Sequence, residues 1–397
     1  MKGKLAIDGG KPVCENYIAY GRQSIDQNDK NAVLKVLESD FLTTGPEISR
    51  FEQALADYVG AKYAVAYANG TAALHGACFA ADVKAQDEVI TSPLSFAASA
   101  NCALYLGARP IFADIDEKTL NIDPNAIEKL ISKKTKAIIP VHYTGRAADI
   151  DSIQALISNR EITIIEDAAH ALGTTYHDKK VGSISDMTEF SFHPVKTITT
   201  GEGGAITTNS ERLYKQLKLF VSHGITRDAE RLQDNRGPWY YEQQALGFNY
   251  RMTDMQAALG ISQLSRIEEF ISRRKALVAL YDNAFVDEPG LTLQKSLPKS
   301  DAATHLYVLL LNLDELKVSR DQIFNALRAE NIGVNVHYIP IYLHPYYQAL
   351  GYQKGLCPVA ESIYERLITI PLHPSMTDQD ALHVIEGVKK VIRYYRL

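Results

Sequence analysis

From residue 61 to residue 167 the sequence repeats one unit, a short apolar run followed by a helix-length segment. Residues 63–68, 88–91, 110–113, 137–141 and 162–165 read as strands, and residues 72–81, 95–105, 124–132 and 150–157 read as helices between them. Strands this short and apolar, alternating with helices, are buried on both faces. That pattern predicts an α/β fold: a mostly parallel sheet sandwiched by helices. In such sheets ligands sit at the carboxyl ends of the strands. Asn69-Gly70-Thr71, Ser95-Phe96, His142-Tyr143 and Asp167 each follow a predicted strand and are expected to converge on one edge.

The flanking segments differ. Residues 1–24 read as irregular, with Gly9-Gly10 and Pro12 as turn markers. Helices are expected over 24–38 and 48–58, separated by the loop Asp40-Phe41-Leu42-Thr43-Thr44-Gly45-Pro46, where Gly-Pro breaks regular structure. A helix over 211–220 precedes a long polar stretch, 222–254; a loop of that length marks a functional segment or an interface. One long helix is expected over 255–285. A strand at 306–311 and helices at 321–330 and 378–394 then predict a smaller α+β unit. Two domains follow: 1–265, a large α/β unit with an N-terminal arm, and 266–397, a small C-terminal α+β unit.

Composition excludes several classes. A net charge of −5 carries no nucleic-acid signature. No apolar run approaches the roughly 20 residues of a membrane helix. The N-terminus lacks the continuous apolar segment of a secretory signal. Cys14, Cys78, Cys102 and Cys357 lie far apart with no CxxC pair, which argues against structural zinc and a disulfide framework, and for reduced thiols in a cytoplasmic protein. No metal is expected.

The stretch 186–208, DMTEFSFHPVKTITTGEGGAITT, carries the chemistry. Lys196 sits in a turn between two apolar runs, with Ser191 before it and Gly201-Glu202-Gly203-Gly204 after it. A lysine held in a cleft has a lowered pKa and can condense with an aldehyde. Pyridoxal 5′-phosphate (PLP) is such an aldehyde, and its other parts need partners. Its phosphate needs N–H groups at a helix N-terminus and hydroxyls, offered by Gly70, Thr71 and Ser191. Its ring nitrogen needs a carboxylate, offered by Asp167. Its ring face needs a flat partner, offered by Phe96. Each residue has a plainer role open to it: an exposed loop lysine, a simple Asn-Gly turn, a helix cap at Asp167, a core phenylalanine.

NGTAAL at 69–74, SPLSFAASAN at 92–101, EDAAHALG at 166–173, SFHPVKTITTGEGGA at 191–205 and GFNYRMTDMQAALG at 247–260 together resemble the DegT-type family of PLP-dependent nucleotide-sugar aminotransferases, of the aspartate aminotransferase fold type. SFHPVK…GEGG, with GPWYYEQQALGFNYRMTD at 237–254, most resembles the subgroup of the pseudaminic acid pathway. The resemblance implies that Lys196 holds the cofactor and moves protons, that Asp167 pairs with the ring nitrogen, and that Phe96 stacks on the ring. It implies that His170 supports the ring from the other face or near O3′, that Gly70, Thr71 and Ser191 hold the phosphate, and that Asn249 from the partner subunit of a homodimer adds a phosphate or substrate contact; Gly70 and Ser191 are expected to touch substrate as well. Tyr20, Asp40, Phe41, Leu42, Thr43, His337 and Tyr338 are implied as sugar-nucleotide contacts. The donor carboxylate needs a cation, for which Arg251 of the neighbouring subunit is the candidate, with an interface salt bridge as its other role. The implied reaction moves the amine of L-glutamate to a UDP-linked 4-keto sugar, giving UDP-4-amino-4,6-dideoxy-N-acetyl-β-L-altrosamine. A different nucleotide, a 3-amino product, or a PLP-binding regulator without turnover are the competing expectations.

Overall fold

The computed structural model describes residues 4–234 and 236–397. The first three residues of the segment read as irregular, and one position of the 222–254 loop, lie outside the described residues. The predicted alternation is present. The central sheet contains β1 (Tyr63–Tyr67), β2 (Glu88–Thr91), β3 (Arg109–Phe112), β4 (Thr135–Ile139), β5 (Thr163–Asp167), β6 (Met187–Ser191) and β7 (Gly204–Thr208), in the order β1-β7-β6-β5-β4-β2-β3. Pairings among β2 to β6 are parallel, and β7 runs antiparallel to both β1 and β6.

Helices are α1 (Gln27–Leu37), α2 (Pro46–Val59), α3 (Gly70–Ala80), α4 (Ala98–Leu104), α5 (Pro124–Glu128), α6 (Ile150–Ile157), α7 (Glu211–Phe220), α8 (Asp254–Leu264), α9 (Ile267–Phe285), α10 (Arg320–Ala329), α11 (Pro345–Ala349), α12 (Pro358–Arg366) and α13 (Asp378–Tyr395). Successive strand side chains point to opposite faces, and the two faces fill different cores. Val65 and Tyr67 of β1, with Ala137 and Ile139 of β4, pack against α3, α4 and α7. Ala64 and Ala66 of β1 pack against α2, α8 and the start of α9. Ile138 and Ile164 pack near α5 and α6. Burying each such isoleucine contributes about 1.5–3 kcal/mol.

The long helix expected over 255–285 is two helices. Ser265 donates its hydroxyl to the Ser262 carbonyl at 2.7 Å, and Arg266 leaves the helical conformation, with φ −108° and ψ 6°. α9 then leads from the large core, through Ile267, Phe270 and Ile271, into a second one, through Leu277, Tyr281 and Phe285. That second core is built on an antiparallel sheet of β8 (Leu291–Leu293), β9 (Tyr307–Leu311) and β10 (Leu367–Ile370), covered by α10 and α13. A boundary at 265 assigns the N-terminal arm to the large unit, but Leu5 and Cys14 pack into the second core. Ala6 and Val13 donate backbone N–H groups, each at 2.9 Å, to the carboxylate of Glu330. The four cysteines are buried, unpaired thiols. Among the described residues no helix is long and apolar enough to cross a membrane.

Candidate active site

The carboxyl ends of β1, β2, β5 and β6 open into a cleft of about 960 Å³, closed on its far side by residues 335–338 of the smaller unit. Gly70, Thr71, Phe96, Asp167, His170, Ser191 and Lys196 line it, as do Tyr20, His337 and Tyr338. The local sequence explains each position.

Asn69 caps α3 by accepting the Ala72 N–H at 2.8 Å, so the helix starts at Gly70 and the first N–H groups stay free of helical partners. Glycine is required at two neighbouring places. A Cβ on Gly204 would lie 2.6 Å from the Asn69 carbonyl carbon, and one on Gly70 would lie 3.1 Å from Ser191 Cβ. The glycine-rich segment thus lets β7 and β6 press against the turn that begins α3. The result is a cradle of N–H groups and a hydroxyl with the helix dipole behind it, a fit for a phosphate.

Asp167 is buried at the end of β5. Its Oδ2 accepts the Ser99 hydroxyl at 2.5 Å and its Oδ1 accepts the Ala169 N–H at 3.2 Å. Ser95 donates to Ser99 at 2.7 Å and completes the chain. α4 starts at Ala98, later than the expected 95, so Phe96 stays in the loop before it and presents an exposed ring to the cleft. His170 lies across from it with Nε2 3.1 Å from the Tyr338 hydroxyl. His170 Nδ1 is buried without a partner among the described residues. Burial first, then Lys196 and His337, push His170 well below the usual histidine range, so it is neutral. His337 is held by Thr369 Oγ1 at 2.9 Å from Nδ1 and is pushed down to about 4 by burial and by Lys196. Tyr20 packs against His337 with ring centroids 5.4 Å apart.

Lys196 follows a turn in which its N–H donates to the His193 carbonyl at 2.9 Å. Burial lowers its amine from 10.5 to about 8, opposed by Asp167 and Glu189. An amine so placed is a nucleophile and base near neutral pH.

Other expected contacts lie elsewhere in the same chain. His142 turns to the opposite face, where Nε2 meets Glu166 at 2.7 Å and Nδ1 accepts the Ala148 N–H; this pair is wholly buried. Tyr143 is buried as well and donates to the His337 carbonyl. The expected convergence of His142-Tyr143 on the cleft therefore fails: these two residues brace its floor. Asp40, Phe41, Leu42 and Thr43 are exposed beside the start of α8, where the Leu42 carbonyl accepts the Asp254 N–H at 3.1 Å. Asn249 is exposed and pairs with Ser222, and Arg251 Nη1 donates to Ser222 Oγ at 2.9 Å. None of these six lines the cleft of its own chain. Tyr250 between them does, stacked on Phe248 at 4.9 Å. Sequence reasoning passed over Ser99 and Glu189. Ser99 was legible, four residues after Ser95 near a helix start, whereas Glu189, two before Ser191 on one strand face, carries no sequence signal of its burial.

The donor set matches PLP part by part: a half-buried lysine amine in the cleft, a carboxylate at a strand end, an open aromatic ring, and a phosphate-sized cradle. Comparison with known proteins agrees. The profile of the DegT/DnrJ/EryC1/StrS aminotransferase family matches residues 23–389. The spore coat polysaccharide biosynthesis protein SpsC of Bacillus subtilis is 42% identical over 380 residues, covering 95% of this chain and 98% of SpsC. The UDP-4-amino-4,6-dideoxy-N-acetyl-beta-L-altrosamine transaminase of Campylobacter jejuni is 38% identical over 383 residues, covering 94% and 99%. The structure of Helicobacter pylori PseC, an aminotransferase in the biosynthesis of pseudoaminic acid, superposes with a TM-score of 0.89 at 34% identity, covering 96% of this chain and 100% of that one. The PLP-form of a sugar aminotransferase from Streptococcus pneumoniae superposes with a TM-score of 0.88 at 31% identity, covering 95% and 99%. These matches remove the expectation of a regulator without turnover: the chain is a PLP-dependent sugar aminotransferase and belongs to the DegT/DnrJ/EryC1/StrS family.

Proposed function

We propose that this enzyme transfers the amino group of L-glutamate to C4 of a UDP-linked 4-keto-6-deoxy N-acetyl hexose, giving UDP-4-amino-4,6-dideoxy-N-acetyl-β-L-altrosamine for pseudaminic acid biosynthesis. The observation that carries the chemistry is the Lys196 amine, lowered to about 8 and facing Asp167 across one cleft. The sugar rests on the relative that is named for this product.

When bound, PLP supplies a carbonyl that takes up the amine and a ring that withdraws electrons from the carbon losing its proton. The chain's residues do the rest. Gly70, Thr71 and Ser191 fix the phosphate. Phe96 would stack on one ring face and His170 would lie near the other, since both line the cleft. Asp167, oriented by Ser99 and the Ala169 N–H, holds a proton on the ring nitrogen. Lys196 Nζ would take the α-proton from the donor carbon and hand it to the former aldehyde carbon of the cofactor, and would move a proton in the opposite sense when the amine passes to C4 of the sugar. Because His170 and His337 are pushed toward the neutral form, neither competes with Lys196 by adding positive charge. Tyr20, His337 and Tyr338 face the space left for the sugar. Asn249 is exposed, as are Trp239 and Leu246 earlier in the same stretch, while Arg251 is half-buried against Ser222. In our reading this stretch crosses to a second copy of the chain, together with Asp40–Thr43, and supplies the phosphate and donor-carboxylate contacts there. A cleft near 960 Å³ suits a sugar nucleotide, at the upper end of the roughly 300–1,000 Å³ of small-molecule sites.

A second reading has its own support. Identity to SpsC, at 42%, exceeds that to the C. jejuni transaminase, at 38%, so a keto sugar for a coat polysaccharide, on another nucleotide or with another amine position, fits as well. Incubation with L-glutamate and a panel of keto sugars, with product identified by mass spectrometry and NMR, separates the two. Amination of the UDP-4-keto sugar alone supports the first reading. Preference for a sugar on another nucleotide overturns it.

A further inference from the structure

Glu189 is the group in the cleft that this chemistry leaves without a task. It lies on β6 two residues before Ser191, so both side chains leave the strand on one face. It is 1% exposed, neither carboxyl oxygen accepts a hydrogen bond from an N–H or O–H donor among the described residues, and Asp167 beside it is the group with which it can share a proton. Its Oε1 reaches the first turn of α3: a Cβ on Gly70 would lie 2.4 Å from it. Gly70 thus leaves open the space that this carboxyl group enters. The charged groups facing it are Asp167, its register partner on β5, and Lys196 from the turn after β6. The first turn of α3 brings Gly70 and Thr71, and β7 brings Gly204 and Ile206, the register partner of Glu189, none of them ionisable.

A buried carboxyl without a partner is unfavourable. Here Asp167 can share one proton with it, and the oxygen that reaches the first turn of α3 is left to face a ligand in the cradle. An ionised Glu189 would repel a phosphate at that cradle, whereas a neutral carboxyl carries one O–H donor. Burial first, and then Asp167, push Glu189 well up toward the neutral form, while Lys196 pulls it down.

Resting on the cofactor reading above, we propose that Glu189 is a further binding residue, donating its proton in a hydrogen bond to the cofactor phosphate beside Ser191 and the first turn of α3. Cofactor binding then holds a proton on Glu189. Where Glu189 is ionised in the free protein, binding takes one up, and affinity falls as pH rises through that range.

The test is titration of the full-length, cofactor-free chain with pyridoxamine 5′-phosphate, which has no aldehyde for Lys196 to attack. Fluorescence and calorimetry read affinity from neutral to alkaline pH. Glu189→Gln keeps a donor and is expected to bind within about threefold of the wild type at neutral pH, but without the wild type's alkaline loss. Glu189→Ala is expected to bind about threefold to tenfold more weakly. With pyridoxamine, which lacks the phosphate, all three proteins are expected to bind alike. Identical pH profiles for wild type and Glu189→Gln overturn the proposal, as does a variant difference that persists without the phosphate. Should Glu189→Ala fail to fold, as read by circular dichroism, the Glu189→Gln profile carries the test alone. A wild type that binds neither compound removes the cofactor reading itself, a result distinct from both.

Discussion

The Ser99 hydroxyl lies 2.5 Å from Oδ2 of Asp167, joining the start of α4 to the end of β5 beneath the cleft. The bond holds the Asp167 carboxylate in one orientation, which on the proposed role sets the oxygen that would meet the ring nitrogen. Asp167→Asn is expected to lower kcat by orders of magnitude, because an amide does not keep the ring nitrogen protonated. Ser99→Ala loses only orientation, a hydrogen bond worth about 1 kcal/mol, and is expected to slow turnover by roughly fivefold. Steady-state release of 2-oxoglutarate measures both. An Asp167→Asn enzyme as fast as wild type removes the assignment.

Lys196→Ala is expected to abolish turnover while leaving pyridoxamine 5′-phosphate bound through the phosphate cradle. Equilibrium binding and product formation on the same preparation separate the two effects. Substantial remaining turnover contradicts the role of Lys196 as the base.

The pH dependence of cofactor uptake follows from the lowered amine. Lys196 must be neutral to attack an aldehyde. The rate at which PLP combines with the cofactor-free chain should therefore climb with pH and level off above about 8. Asp167 raises the amine, so Asp167→Asn should move the midpoint to lower pH. Stopped-flow absorbance reads the midpoint. A value near the ordinary 10.5 shows that Lys196 is not desolvated in solution.

Sharing of sites between two copies is testable by mixing. Lys196→Ala and Asn249→Ala each damage both sites of a homodimer when Asn249 serves the partner's cleft. Refolded together in equal amounts, they regenerate one intact site per mixed dimer, about a quarter of all sites. Regain of activity to that level supports the shared site. No regain places Asn249 with its own chain.

Much of the fold was legible because its signals are local. The alternation of apolar runs and helices from residue 61 to 167 fixes a sheet buried on both faces, and the capping Asn69 marks the start of α3. β7 was readable as a strand but its direction was not: antiparallel pairing with both β1 and β6 depends on contacts far apart in sequence. The break between α8 and α9 was missed because Ser265 and Arg266 carry no glycine or proline; a hydroxyl bonding back to a carbonyl ends the helix instead. In the cleft, Lys196 and Asp167 stand out by their place at strand ends. Glu189 does not, since its isolation comes from the packing of Gly70, Ser191 and Asp167 around it. His142 misled for a related reason: following a strand does not say which face a side chain takes, and Glu166 draws it to the other one.

The central claim is amine transfer through Lys196, and the visible spectrum of the PLP-loaded protein tests it most directly. The protein is expected to be yellow, its visible band bleached by L-glutamate with 2-oxoglutarate formed in equal amount, and restored by a UDP-linked 4-keto sugar. A band that neither L-glutamate nor the keto sugar alters would contradict the claim.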